Sequence, residues 1–259
     1  MGTSSSSAGP KGGVPFDPPW LSEIDTEHKK IEKNDQDISY FRRFSTSRRY
    51  LGEYLKKGDI SYLRKALGSY SQHGMGGATR LAHRMSYSST IGAEFFSFLK
   101  NDTTTDRFKN WIKQLHSEHL NIHEVADVVV SSIIQHGGSL DEESCRRSMS
   151  QALSDFMAEN DADLTNLSEN DIWTIIEKFI CNEVFDRICI DIGRIFESKN
   201  YSVYDIIEKN KEIQDYLEME ISSQVASIRL EKNVFDEIEM KSIIFDTIKN
   251  TFLVFEEYL

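Results

Sequence analysis

The sequence is short of the residues that punctuate and cross-link a chain. Its 259 residues include four prolines and three cysteines. The prolines, Pro10, Pro15, Pro18 and Pro19, all precede Trp20. Helix interiors exclude proline, whereas β-rich chains use it at turns, so its absence from the rest of the chain argues for helices. Cys145, Cys181 and Cys189 are odd in number and lack C-x-x-C spacing, which excludes a disulfide framework and a zinc knuckle. Cys181 and Cys189 lie too far apart along one helical stretch to pair with each other. A chain of this length buries a core without cross-links or metal, and a reducing cytoplasm is the expected compartment. No apolar run approaches the roughly 18–20 residues of a bilayer span, so no membrane association is expected. The first residues carry no apolar signal core, so no secretory leader is expected either.

What is present is helical periodicity. An apolar fraction of 39% and a charged fraction of 28% fit a globular chain. Tyr50, Tyr54 and Leu55, then Ile60, Leu63 and Leu67, then Ile122, Val125, Val129 and Ile133, recur at helical spacing. Ile172, Ile175, Ile176, Phe179, Ile180, Val184, Ile188 and Ile192 form a long stripe, continued by Ile195. The stretch 103–119 reads as a helix with Trp111, Ile112 and Leu115 inward. The run from Ile238 to Leu259 reads as another, with Ile243, Ile244, Ile248, Phe252 and Phe255 on its apolar face. Asp59 reads as a helix start, and the pairs Asn121/Glu124 and Ser139/Glu142 as capping boxes. Gly58, the cluster Gly74-Met75-Gly76-Gly77 and Gly137-Gly138 read as stops. The expectation is all-α: an irregular bundle of about eight or nine helices, preceded by an extended Gly/Ser/Pro-rich tail. Three regions follow: the tail at 1–21, a basic helical region at 22–100, and an acidic helical body at 101–259 that makes one compact unit with the basic region.

Charge divides those regions. The net charge of −12 is the sum of +5 over residues 1–100 and −17 over residues 101–259. Arg42, Arg43, Arg48, Arg49, Lys56, Lys57, Arg64, Lys65, Arg80 and Arg84 interleave with Tyr40, Phe41, Phe44, Tyr50, Tyr54, Tyr62 and Tyr70. Such a segment can hold nucleic acid, can meet an acidic partner, or can be core aromatics flanked by solvated charge that the acidic half neutralises. The chain's overall acidity opposes the first of these.

Gly76 and Gly77, followed by Arg80 and Arg84, are compatible with anion binding, but the G-K-[ST] ending is missing and a helix, not a strand, precedes them. A tight interhelical turn is the plainer reading. His116, His119 and His123 have metal-ligand spacing, yet Asn121 caps a helix between them, so no metal site is expected. His73 and His83 flank the glycine turn and read as structural or partner-contacting. No G-x-S-x-G, H-E-x-x-H or dinucleotide fingerprint occurs, and no catalytic residue is identified.

The tail, with its serine run at positions 4–7, is too polar and too rich in breakers to form a core. Met1-Gly2-Thr3-Ser4-Ser5-Ser6 is open to three readings: a disordered start or cloning remnant, an N-myristoylation pattern, or an exposed nucleophile. In the third, loss of Met1 frees the Gly2 α-amine. With a pKa of ~7.7–8.0 it is far more available as a neutral amine than a lysine at ~10.4. Pro15-Phe16 and Pro18-Pro19-Trp20 could dock beside an active site that the tail threads.

Gly2-Thr3-Ser4, Gly9-Pro10-Lys11-Gly12, Pro15 and Pro18-Pro19-Trp20 form one set of motifs, and Arg48-Arg49-Tyr50, Ala66-Leu67-Gly68-Ser69-Tyr70, Gly74 to Arg80, and Arg84-Met85 add to it. In these motifs the chain resembles the QatB family of the bacterial Qat anti-phage defence system. The resemblance spans about residues 2–85. It implies a non-enzymatic subunit that is a protein substrate of QatC, a QueC-like enzyme, beside an ATPase and a TatD-like nuclease. The partner would use ATP, zinc and a 7-deazaguanine substrate, and this chain would need no cofactor. Gly2 is then the modified residue, Thr3 and Ser4 its nearest contacts. Gly9, Pro10, Gly12, Pro15, Pro18, Pro19 and Trp20 complete the recognition segment. The alternative is a helical nucleic-acid-binding module using residues 42–84, with Arg48, Arg49, Gly76, Gly77, Arg80 and Arg84 as anion or partner contacts.

Overall fold

Helix boundaries follow local chemistry through most of the chain. The computed structural model describes residues 43–102, 106–117, 121–134, 138–160, 164, 167–197, 201–231 and 236–259. The tail at 1–21 and residues 22–42 lie outside these. The chain divides into Met1–Arg43 and Phe44–Leu259, and apart from Arg43 the described residues belong to the second unit.

Ten α-helices and no strand occur among the described residues. They are α1 (Ser45–Lys57), α2 (Ile60–Ser69), α3 (Ala78–Arg84), α4 (Ser86–Ser97), α5 (Asp106–Ser117), α6 (Ile122–Ile133), α7 (Leu140–Asn160), α8 (Glu169–Ile192), α9 (Val203–Glu231) and α10 (Glu237–Glu256). The all-α expectation holds, with more helices than the eight or nine anticipated. Met85 leaves helical geometry (φ −94°, ψ 18°) and separates α3 from α4, a break that no proline or glycine announces.

The anticipated starts are present. Asp59 accepts from the Ser61 N–H at 2.9 Å. Asn121 with Glu124 and Ser139 with Glu142 close reciprocal capping boxes. Ser168/Asp171 and Ser202/Asp205 close two more, with aspartate in the glutamate's place. Gly58 ends α1 at φ 69°, its N–H bonded to the Tyr54 carbonyl. The glycine cluster behaves differently. Helix α2 runs on into a π-helical turn, Tyr70–Met75, that carries Gly74 inside it. The reversal falls at Gly76 (φ 84°) and Gly77 (φ 105°), in the left-handed region that glycine tolerates. A Cβ on Gly74 would stand 2.5 Å from the Phe44 ring, so that glycine serves close packing, not termination.

Helix α8 is the hub. All eight stripe residues from Ile172 to Ile192 are buried, with Trp173, Cys181 and Glu183 beside them, and Ile195 packs on the core beyond. It contacts α4, α7 and α9. Helix α10 is a second hub, touching α2, α3, α4 and α9 and burying Ile243, Ile244, Ile248, Phe252 and Phe255. Helix α1 lies on α2. Trp111 is half-buried and Ile112 buried, as their spacing predicts. Ile60 and Ile122, read as stripe members, are instead exposed, because each begins its helix and lies before the first buried turn.

Close approach between helices α2 and α10 centres on Gly68. A Cβ there would lie 2.3 Å from the Phe255 carbonyl oxygen, a backbone atom that cannot swing aside. At Gly52 the nearest atom, at 2.8 Å, is the mobile Cδ1 of Ile195. Gly68→Ala is expected to cost about 1–3 kcal/mol in denaturant unfolding, and Gly52→Ala clearly less. Equal losses would contradict this account of the α2–α10 contact.

Candidate functional site

The basic segment is the one sequence-derived candidate that falls largely within the described residues; several of its charges have partners within the chain, while Arg48, Arg49, Lys56, Lys57 and Lys65 stay exposed. Arg48 on α1 donates from Nη2 to the Asp191 main-chain oxygen at 2.7 Å. That carbonyl belongs to the last turn of α8, just before a 3-10 turn over Gly193–Glu197, and the helix dipole favours a cation there. The Arg48 guanidinium also lies 5.8 Å from the Phe44 ring centre, and that of Arg49 lies 5.0 Å from Tyr50. Arg64 donates to the Tyr216 hydroxyl at 3.1 Å and stacks 4.8 Å from Tyr258. Lys57 pairs with Glu53 at 2.8 Å and reaches Tyr62 Oη at 3.0 Å.

The interleaved aromatics point inward. Phe44, Tyr54 and Tyr70 are buried, and Tyr50 and Tyr62 are half-buried against the core. Phe44 stacks on Tyr70 at 5.5 Å, and Tyr70 meets Phe252 at 5.9 Å. A base-stacking platform needs exposed ring faces, which these buried rings do not offer. Tyr40 and Phe41 lie outside the described residues.

The structure brings Gly76 and Arg80 together: the Arg80 side chain folds back until its Cδ and Nη1 stand 3.0 Å from where a Gly76 Cβ would be. Gly77 precedes α3, which is only seven residues long, and Arg84 closes it, half-buried. Gly2, Thr3, Ser4, Gly9, Pro10, Gly12, Pro15, Pro18, Pro19 and Trp20 lie outside the described residues. Of the histidine trio, His123 is exposed on the first turn of α6, while His119 and the side chain of His116 are not described. Among the described residues no cluster of His, Cys, Asp or Glu could hold a metal ion. His73 is exposed beside Ser69, and His83 packs edge-on to Phe245 at 5.0 Å.

Two polar clusters went unseen in the sequence, because their members are far apart along it. In the first, the Tyr70 hydroxyl donates to Asp191 Oδ2 at 2.8 Å. Arg187 stands 3.4 Å from the same oxygen and 3.0 Å from Asp141. Burial works against the Arg187 charge, but Asp191, Tyr70 and Asp141 outweigh it and push its pKa up. In the second, Glu183 sits inside the core of α8, accepting from Ser88 Oγ on α4 at 3.0 Å and Ser144 Oγ on α7 at 3.2 Å. Burial raises its pKa, and the surrounding serine hydroxyls offset this only in part. The same burial pushes Cys181 and Cys189 up to about 12 and Cys145 higher, the opposite of a reactive thiol. Both clusters fasten helices together.

Fold and geometry thus define an all-α protein in which two polar clusters, around Asp191 and Glu183, tie helices together. A family model described as Qat anti-phage system associated protein QatB matches residues 76–255. The chain belongs to this family, which gives it a role in Qat anti-phage defence as part of a multi-component system. The match covers the acidic body, whereas the resemblance read from motifs lay before residue 86; the two share only the glycine turn and α3. No curated protein and no solved structure matches the chain. No helix among the described residues is long and apolar enough to cross a membrane.

Glu183 yields a signed pH prediction. Its folded-state pKa is raised above the ordinary 4.5, so the folded protein binds the proton more tightly than the unfolded chain. Its contribution to stability is fully present below the unfolded value and is lost as pH rises through the folded one. Relative to wild type, Glu183→Gln should gain stability as pH is raised from about 4.5 toward 7. Paired urea titrations across that range check this, and a pH-independent difference would contradict it. Arg48→Ala should lower stability by about 0.5–1 kcal/mol through loss of the α8 C-terminal contact.

Proposed function

We propose that the chain is a non-enzymatic subunit of a Qat anti-phage complex and the protein substrate of its QueC-like enzyme, QatC, with Gly2 as the acceptor. The observation that carries this reading is the confinement of every proline to a Gly/Ser-rich segment beginning Met1-Gly2, on a chain of the QatB family.

The chemistry follows from the amine. ATP and a 7-carboxy-7-deazaguanine give an acyl-adenylate and pyrophosphate on the partner. After removal of Met1, the neutral Gly2 α-amine attacks the acyl carbon. AMP leaves with the C–O bond electrons, the nitrogen loses a proton, and an amide joins the deazaguanine to Gly2. A glycine amine has no side chain to obstruct a narrow site. Thr3 and Ser4 would follow it in, with Gly9, Pro10, Gly12, Pro15, Pro18, Pro19 and Trp20 held along the partner's surface. ATP and zinc would belong to the partner, and the system's ATPase and TatD-like nuclease would complete the assembly in the cytoplasm.

Intact-mass analysis after co-expression with the QueC-like enzyme tests this. The N-terminal peptide should gain the deazapurine acyl mass, and Gly2→Trp should abolish the gain. No added mass, or equal modification of Gly2→Trp, would sink the proposal.

A further inference from the structure

Helices α7 and α9 both pack on α8, and a cleft of about 620 Å³ runs between them over it. Its two ends differ in chemistry. At one end Ile207 of α9 is 60% exposed beside the half-buried Phe185 of α8. Val203 and Tyr204, one turn earlier on the same face of α9, extend this shelf with 71% and 86% exposure. The other end is rich in acceptors. Lys178 is held by Glu159 at 2.9 Å and Glu218 at 3.6 Å, so its charge is spent inside the cleft. Asp215 is exposed and enters no ion pair with a described residue. Between the ends, the Asn210 Oδ1 is buried and accepts no hydrogen bond. Five carboxylates line the cleft against three cations, within a body of net charge −17.

An apolar shelf, an orphan acceptor and surplus carboxylates ask for a partner carrying an aliphatic anchor and donors of positive charge. A trough between two helices floored by a third accepts a helix, and no sheet edge among the described residues offers strand addition. A second copy of this acidic body, or a nucleic acid, would bring like charge to like. We propose that the cleft docks a basic amphipathic helix of another protein of the same defence system. Its aliphatic side chain packs on Ile207 and Phe185, and its Lys or Arg faces Asp215 and Glu218. Ile207 and Glu218 are eleven residues apart on α9, about 16 Å, so anchor and charge lie three helical turns apart on the partner. The inference rests on family membership and the cleft, not on the chemistry at Gly2.

A benzoylphenylalanine photo-cross-linker placed at Ile207 of the full chain, co-expressed with the other Qat components, gives the test. Mass spectrometry of the cross-linked peptide should identify a Lys/Arg-bearing amphipathic segment of a different protein. The double variant Asp215→Lys/Glu218→Lys should cut the yield at least tenfold, and the milder Asp215→Asn by a smaller factor. Glu237→Lys/Glu257→Lys, at the first residue of α10 and just past its end, with the same change of charge, should leave the yield unchanged. A cross-link to a second copy, to an acidic or uncharged segment, or to nothing would overturn the proposal, as would equal loss in the α10 control. Gly2 modification, read by mass in the same samples, stands or falls separately.

Discussion

The structure depends on one constraint, the burial of α8. A helix whose apolar residues cover more than one stripe cannot be satisfied by a single neighbour, so α4, α7 and α9 must all close on it. Each fully buried Ile or Phe along it contributes roughly 1.5–3 kcal/mol, and the hub carries enough of them to fix where its neighbours lie. Helix α10 repeats this on a second axis, and the chain becomes one packed unit from Phe44 onward.

Polar groups then set the registration that apolar packing leaves loose. Glu183 reaches Ser88 and Ser144 on two helices at once, and Tyr70, Arg187 and Arg48 converge on Asp191 at the end of α8. A buried carboxylate costs desolvation, and hydroxyl donors on both sides limit that cost while holding three helices in one alignment. Arg48 also changes meaning in this light. As a sequence feature it belongs to a basic run that could meet a nucleic acid or a partner; in the fold it completes a helix terminus.

Functionally, the body and the tail divide the labour in the proposed reading. The body supplies a rigid, acidic platform with an open cleft, and the tail supplies a reactive amine. In that reading the acidic surface and the helical cleft would receive basic partner segments. The inward-turned aromatics Phe44, Tyr54 and Tyr70 weaken the nucleic-acid alternative at the segment where it was strongest.

Most of the helices were legible in the sequence. Their periodicity, the caps at Asp59, Asn121 and Ser139, the stop at Gly58, and the buried faces of α8 and α10 are all local, encoded within a few turns of chain. The break at Met85 and the π-helical turn through Gly74 were not legible: no proline or glycine marks the first, and the close approach of Phe44 to Gly74 joins residues thirty apart in the chain. What the polar residues do is set by the packed fold. Asp191 lies 121 residues from Tyr70 and 143 from Arg48, and no short-range pattern records a hydrogen bond between groups so separated. The cleft between α7 and α9 has the same origin: the space between them exists only once both are seated on α8.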